Sequence, residues 1–120
     1  MYKMLANMEG VADDPQKVER FRSVLKQLDE KYVENDHTIG GMTINAHYKL
    51  KNYGVTATML TILEGMNQVV SPRQKGLRYL DHSALYVSLR TKGRSHQQAI
   101  DEVGATIPAT VKPKSSKTTN

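Results

Sequence analysis

The chain lacks cysteine and tryptophan, and it has one phenylalanine among 120 residues. Without cysteine there is no disulfide, no thiolate zinc site and no cysteine nucleophile. With so few aromatic residues, the core of this single domain must be aliphatic. No apolar run approaches the roughly 18 residues of a membrane-spanning helix, and residues 1–9 lack the apolar region of a signal peptide. We therefore expect a cytoplasmic protein with no membrane segment.

Acidic residues are scarce where the cations concentrate. The whole chain has a formal net charge of +5. Residues 71–94 contain a single acid, Asp81, against six cations: Arg73, Lys75, Arg78, Arg90, Lys92 and Arg94. An excess of this kind is typical of a nucleic-acid-binding surface. The alternative is a solvated loop that only keeps the protein soluble.

Catalysis has little support in the sequence. The four histidines, His37, His47, His82 and His96, show no metal-ligand spacing. The acids form no pair suited to general acid–base chemistry, and Gly40-Gly41 does not build a phosphate-binding loop. We predict a protein that is not an enzyme, with no catalytic residues, no metal site and no cofactor.

The spacing of apolar residues predicts a mainly helical domain over residues 13–104. It lies between an N-terminal arm, residues 1–12, and a disordered basic tail, residues 105–120. Helices are predicted at residues 14–34, 44–53, 57–67 and 95–103, with Asp14, Thr43 and Thr56 as caps of the first three. The first of them is strongly amphipathic, with Pro15 in its first turn.

Two short runs of β-type composition, residues 68–70 and 84–89, flank the basic loop and predict a β-hairpin. Upstream, Tyr53-Gly54-Val55-Thr56 stands between two predicted helices, where the turn of a helix-turn-helix would be. Gly54 suits the left-handed position that closes a helix. This order predicts a winged helix-turn-helix, mainly α with a small β-hairpin wing. The alternative for residues 43–66 is an ordinary helical hairpin inside a core.

Taken together, residues 43–99 resemble the MarR-like winged-helix regulators. Gly54-Val55-Thr56 is similar to the turn that opens the recognition helix in that family, and Leu89-Arg90-Thr91-Lys92-Gly93-Arg94 is similar to the phrase that closes its wing. The chain departs from the family at Ser83, where the wing has an arginine, and it lacks the usual C-terminal dimerisation helices. The resemblance implies a transcriptional regulator and leaves a small-molecule effector open. A homodimer would use the helix of residues 14–34.

We therefore expect binding to double-stranded DNA, with a recognition helix in the major groove and a basic wing on the backbone or minor groove. The expected DNA contacts are Lys49, Lys51, Thr56, Ala57, Thr58, Thr61, Arg73, Lys75 and Arg78. On the recognition helix, Ala57, Thr58, Thr61 and Ile62 should face outward, and Leu60 and Leu63 inward. Its first two turns hold no Arg, Asn or Gln, so its base-reading code is weak. The alternative function is a small winged-helix factor, phage- or plasmid-type, that binds a host protein.

Overall fold

The computed structural model describes residues 1–71 and 76–107. These ranges form six α-helices and contain no strand: α1 (Tyr2–Met8), α2 (Pro15–Lys31), α3 (Asp36–Asn52), α4 (Met59–Val69), α5 (Tyr79–Thr91) and α6 (His96–Ala105). The mainly helical prediction is confirmed. The predicted β-hairpin wing is wrong, since residues 84–89 lie inside α5 and residues 68–69 are the end of α4.

The helical period of α5 explains this correction. Tyr79, His82, Tyr86 and Leu89 recur at three- and four-residue spacing and are all buried, which one face of a helix requires. The contiguous apolar run within residues 84–89 concealed that period. Residues 89–94, which resemble the end of a wing strand, instead form the last turn of α5 and a turn at Gly93, where φ is 100°.

The first predicted helix is present as α2. The Asp14 side chain accepts hydrogen bonds from the amides of Gln16 and Lys17, and Pro15 occupies the first turn. The helix ends at Lys31, because Tyr32 is extended and turns into the core with 4% of its surface exposed. The segment interpreted as an N-terminal arm contains α1, which buries Leu5 and Ala6 and packs against α2.

The third helix begins well before the predicted start at residue 44. The Asn35 side chain accepts a hydrogen bond from the Thr38 amide and caps it. Gly40 lies inside the helix, at a point where any added Cβ would overlap the side chain of Met1. Thr43, predicted as a cap, is fully buried mid-helix, and its hydroxyl donates to the Ile39 carbonyl and contacts the Tyr79 hydroxyl at 2.8 Å.

Two hydrogen bonds that join Glu34 to residues distant in the sequence set the arrangement of α3 and α5. This residue directly precedes the Asn35 cap of α3, and its carboxylate accepts hydrogen bonds from the amides of Tyr79 (2.7 Å) and Leu80 (3.0 Å) at the start of α5. Nearby, Tyr32 and Leu77 form an isolated parallel β-bridge. Both helices therefore start at the same end of the molecule and pack side by side.

The α4 helix lies at the centre of the helical packing. It packs against α2, α3 and α6, and six of its residues are buried: Met59, Leu60, Ile62, Leu63, Gly65 and Met66.

The last helix, α6, is capped at Ser95 by a capping box. The Ser95 hydroxyl accepts a hydrogen bond from the Gln98 amide, and the Gln98 side chain accepts one from the Ser95 amide. The predicted helix at residues 95–103 is therefore confirmed.

Candidate nucleic-acid interface

The end of α3, the connecting loop and the start of α4 form one surface, residues 48–61, which we call the α3–α4 corner. It lies within an acid-free part of the sequence, since no Asp or Glu occurs between Asp36 and Glu64. Lys49 and Lys51 occupy the last turn of α3 with exposed side chains. The corner therefore carries positive charge with no carboxylate of its own.

A tight turn closes α3 and positions the corner. Gly54 has a φ of 75°, a conformation that L side chains rarely adopt. Its amide donates to the Lys51 carbonyl at 3.0 Å, and the Val55 amide donates to the Leu50 carbonyl at 2.9 Å. Further along, the His47 ring donates from Nδ1 to the Ala57 carbonyl at 2.7 Å. The loop is therefore held against α3 at both ends.

Five of the predicted DNA contacts have exposed side chains at this corner: Lys49, Lys51, Thr56, Thr58 and Thr61. Ala57 is in the core with 6% of its surface exposed, and Ile62 is fully buried, so their predicted outward placement is wrong. The inward placement of Leu60 and Leu63 and the outward placement of Thr61 are confirmed.

The α4 helix starts later than predicted, and this affects which of its groups could contact DNA. Thr58, not Thr56, is the cap, and its hydroxyl accepts a hydrogen bond from the Thr61 amide. The Leu60 amide donates to the Glu9 carboxylate at 3.1 Å. Two of the amides that would attract a phosphate at this helix end are thus bonded within the protein. Of the α4 side chains, only Thr61 and Gln68 are exposed.

Two exposed tyrosines flank the lysines of the corner and were not among the predicted contacts. The exposed fraction is 48% for Tyr48 and 71% for Tyr53, and the Tyr48 ring makes an edge contact with His47. The run Tyr48-Lys-Leu-Lys-Asn-Tyr53 contains the signal that could have found them. Lysines flanked by exposed tyrosines suit a surface that contacts nucleic acid, because ammonium groups attract phosphates and tyrosine hydroxyls can donate hydrogen bonds to them.

Three predicted contacts remain, Arg73, Lys75 and Arg78, and only Arg78 is described. Arg73 and Lys75 lie outside the described residues. Arg78 is exposed and directly precedes α5, next to Glu34. Because α3 also starts there, Arg78 lies at the far end of that helix from Lys49, about 20 Å of helix away.

The charge excess of the chain is carried by residues outside the described ranges. All twelve acids lie within residues 1–71 and 76–107, together with twelve of the seventeen Lys and Arg residues. The described part is therefore formally neutral. The other five cations are Arg73, Lys75, Lys112, Lys114 and Lys117. The whole excess of +5 belongs to two segments of the chain that lie outside the described ranges.

Two histidine–tyrosine pairs lie in the core, away from the corner. The Tyr32 hydroxyl is 2.6 Å from Nδ1 of His82, and the Tyr86 hydroxyl is 2.8 Å from Nδ1 of His96. Burial lowers the pKa of both histidines, partly opposed at His82 by Asp81 and Glu34. Among the described residues, no group of three or more His, Asp or Glu side chains could hold a metal ion.

We expect the free energy of unfolding to fall as the pH drops below the ordinary histidine value of about 6.5. The folded state holds His82 and His96 neutral because their pKa values are lowered, so the unfolded state binds more protons in this window. Urea unfolding at a series of pH values measures the effect, and His82→Gln should weaken the pH dependence. A stability that is flat from neutral pH to about pH 5 would contradict the expectation.

No helix in the described ranges is both long and apolar enough to cross a membrane. Comparisons of the chain with protein-family models, curated proteins and solved structures find no match.

Proposed function

We propose that the protein binds double-stranded DNA through the α3–α4 corner, without catalysis. One observation carries the proposal. An acid-free stretch, residues 37–63, presents two exposed lysines, Lys49 and Lys51, between two exposed tyrosines at the end of a helix. A duplex places a negative phosphate at short, regular intervals, so such a surface attracts it irrespective of base sequence.

Each group at the corner has a role in this proposal. The ammonium groups of Lys49 and Lys51 contact phosphates, and the hydroxyls of Thr56 and Tyr53 donate hydrogen bonds to phosphate oxygens. The Thr58 hydroxyl donates to Oγ1 of Thr61 and orders the start of α4. The Gly54 turn holds these groups together. Base reading is limited to Thr61 and its neighbours, because Thr61 is the one exposed side chain in the first half of α4. We therefore propose an interaction dominated by the DNA backbone.

A role in transcriptional control is the finer form of this proposal. It is supported by the order of α3, a glycine-containing turn and α4, which is that of a helix-turn-helix, and by the resemblance of Gly54-Val55-Thr56 to the turn of MarR-like regulators. In this form the protein acts without a wing, and Thr58 and Thr61 supply a modest preference for sites with thymine methyl groups.

The test is a salt series of duplex binding. Lys49→Ala combined with Lys51→Ala should weaken binding to every duplex and reduce the slope of log affinity against log salt by about two units, because each lysine contacts one phosphate. Electrophoretic mobility or fluorescence anisotropy with random-sequence duplex measures this. The matched control is Lys3→Ala combined with Lys26→Ala, two exposed lysines outside the corner.

The control pair should leave the slope unchanged. Equal effects of the two double variants would mean that only net charge matters, and the corner would then be the wrong site. No change from the corner variant would remove the proposal altogether.

A second candidate function is binding to another protein, and one observation favours it. A groove between α3 and α5 has apolar walls, and the Leu80 side chain at its edge is 45% exposed. Exposed apolar surface next to a groove is typical of protein contact sites. A wild-type protein that binds no duplex at any salt concentration, while keeping its helical content, would favour this candidate.

A further inference from the structure

The groove between α3 and α5 combines an apolar floor with small residues at its centre. The α3 wall consists of Met42, Asn45 and Ala46, and the α5 wall consists of Leu80, Ser83, Ala84 and Val87, so five of these seven side chains are apolar. The space between them is about 190 Å³. This surface is apolar enough to gain free energy when it is covered, because burial of apolar area is the main driving force for association.

The two ends of the groove have opposite charge. Glu34, Asp36 and the exposed Asp81 lie where α3 and α5 begin, and they outnumber Arg78, which directly precedes α5. Lys49 lines the other end, and the exposed Lys92 directly follows α5. These charges are placed opposite to the helix dipoles, since a helix is partially positive at its N-terminus and partially negative at its C-terminus, and each full side-chain charge exceeds the half charge of a helix end. The surface therefore has an acidic end and a basic end.

We infer that this groove is the contact surface of a homodimer, in which the second copy of the chain is turned end for end about a twofold axis. In that arrangement the acidic end of each copy faces the basic end of the other. Each exposed Leu80 lies against the groove of the other copy, near Val87 and the aliphatic part of Lys49. The same patch serves both copies, as a twofold interface requires.

Charge complementarity selects a second copy as the occupant. A surface with one acidic end and one basic end is complementary to its own inverted image, and opposite charges across an interface favour the correct partner and register. The helices of the two copies also run antiparallel, so their dipoles attract each other. This inference shares only Lys49 with the proposed DNA surface, because that residue lines the groove and is also a proposed phosphate contact, and the tests below are therefore made without DNA.

The α2 helix, which the sequence predicted as the dimer contact, offers a less suitable surface for a dimer than the α3–α5 groove. The inner side of α2 is covered by α1, α3 and α4. Its outer side carries ion pairs, Arg22 with Glu19 and Arg20 with Glu64, at 2.6 Å each. A dimer through α2 would have to cover exposed charged pairs, whereas the α3–α5 groove offers apolar side chains.

The test is sedimentation equilibrium of the full chain without DNA, over a range of protein concentrations. The wild type should show a reversible monomer–dimer equilibrium. Leu80→Glu should raise the dissociation constant by about tenfold or more, because it puts a charge into the apolar contact. The matched control is Met4→Glu on α1, since Met4 is 46% exposed against 45% for Leu80. It should leave the equilibrium unchanged.

A charge exchange tests the end-for-end arrangement. Asp81→Lys and Lys49→Glu should each weaken the dimer, and the two together should restore it, because each then again faces an opposite charge. Circular dichroism confirms that every variant is folded. A wild type that stays monomeric at all concentrations, equal effects of Leu80→Glu and Met4→Glu, or a double exchange that is no better than the single ones would overturn the inference.

Discussion

Replacement of Leu63 by alanine is expected to lower the free energy of unfolding by about 2–5 kcal/mol. Leu63 lies on α4 and is fully buried, and this helix packs against three others. The neighbouring helices can collapse onto the missing side chain only in part, so the loss includes a cavity as well as the transfer of the side chain. Urea denaturation followed by circular dichroism measures the change.

Thr61→Ala is the matched control on the same helix. Its side chain is exposed, so the free energy of unfolding should change by no more than about 0.5 kcal/mol. Under the proposed function, the same variant should change the preference among duplex sequences. A Thr61→Ala effect as large as that of Leu63→Ala would mean that the faces of α4 are wrongly placed.

Gly65→Ala is expected to lower the free energy of unfolding by about 1–3 kcal/mol, through overpacking. An added Cβ would lie 2.7 Å from Cδ1 of Ile100 and 2.8 Å from Cε1 of His96. Because α6 rests on α4 at this glycine, the two helices would have to separate or the Ile100 and His96 side chains would have to move. Thermal and urea unfolding both measure the loss.

The control for this variant is Gly41→Ala, in the middle of α3. No heavy atom lies within 4 Å of an added Cβ there, and alanine is the better helix former by about 0.5–1 kcal/mol. The free energy of unfolding should therefore rise. If both glycine variants changed stability in the same direction, helix propensity rather than packing at Gly65 would control the result.

Local signals in the sequence were sufficient for two helices. Asp14-Pro15 at the start of α2 and the Ser95–Gln98 capping box at the start of α6 are contacts within four residues. Both are visible without the fold, because a cap and the helix that it stabilises are adjacent in the chain. The Asp14-Pro15 signal predicted the start of α2, and the start of α6, predicted from apolar spacing, coincides with the capping box.

The errors come from contacts that are distant in sequence. Gly40-Gly41 and Thr43 have the composition of a break, but Gly40 accommodates Met1 and the Thr43 hydroxyl contacts Tyr79. Similarly, residues 84–89 have β-type composition, but Glu34 caps the helix that contains them. Tertiary contacts of this kind override local propensity. The sequence could not reveal them without the arrangement of the helices.

The candidate site, like the fold, was predictable only where the signal is local in the sequence. Lys49 and Lys51 follow from the charge pattern and the end of a helix. Ala57 precedes α4 and is buried in the loop, where its carbonyl accepts a hydrogen bond from the His47 ring, a contact that the sequence does not show. The buried position of Ile62 could not be predicted either, because a helix packed on one side would expose it. The α4 helix packs against three others, so its buried arc is wider than the spacing of its leucines indicates.

The Glu34 carboxylate has a consequence for the order of folding. The first amides of α5 are bonded to a residue 45 positions earlier in the chain, and the Arg78 side chain before the helix makes no capping bond. Closure of a loop of that length is an entropic cost that precedes the contact, and a short helix without tertiary support is marginal in water. We therefore expect α5 to form after α2 and α3 have docked, as a late and cooperative addition to the domain.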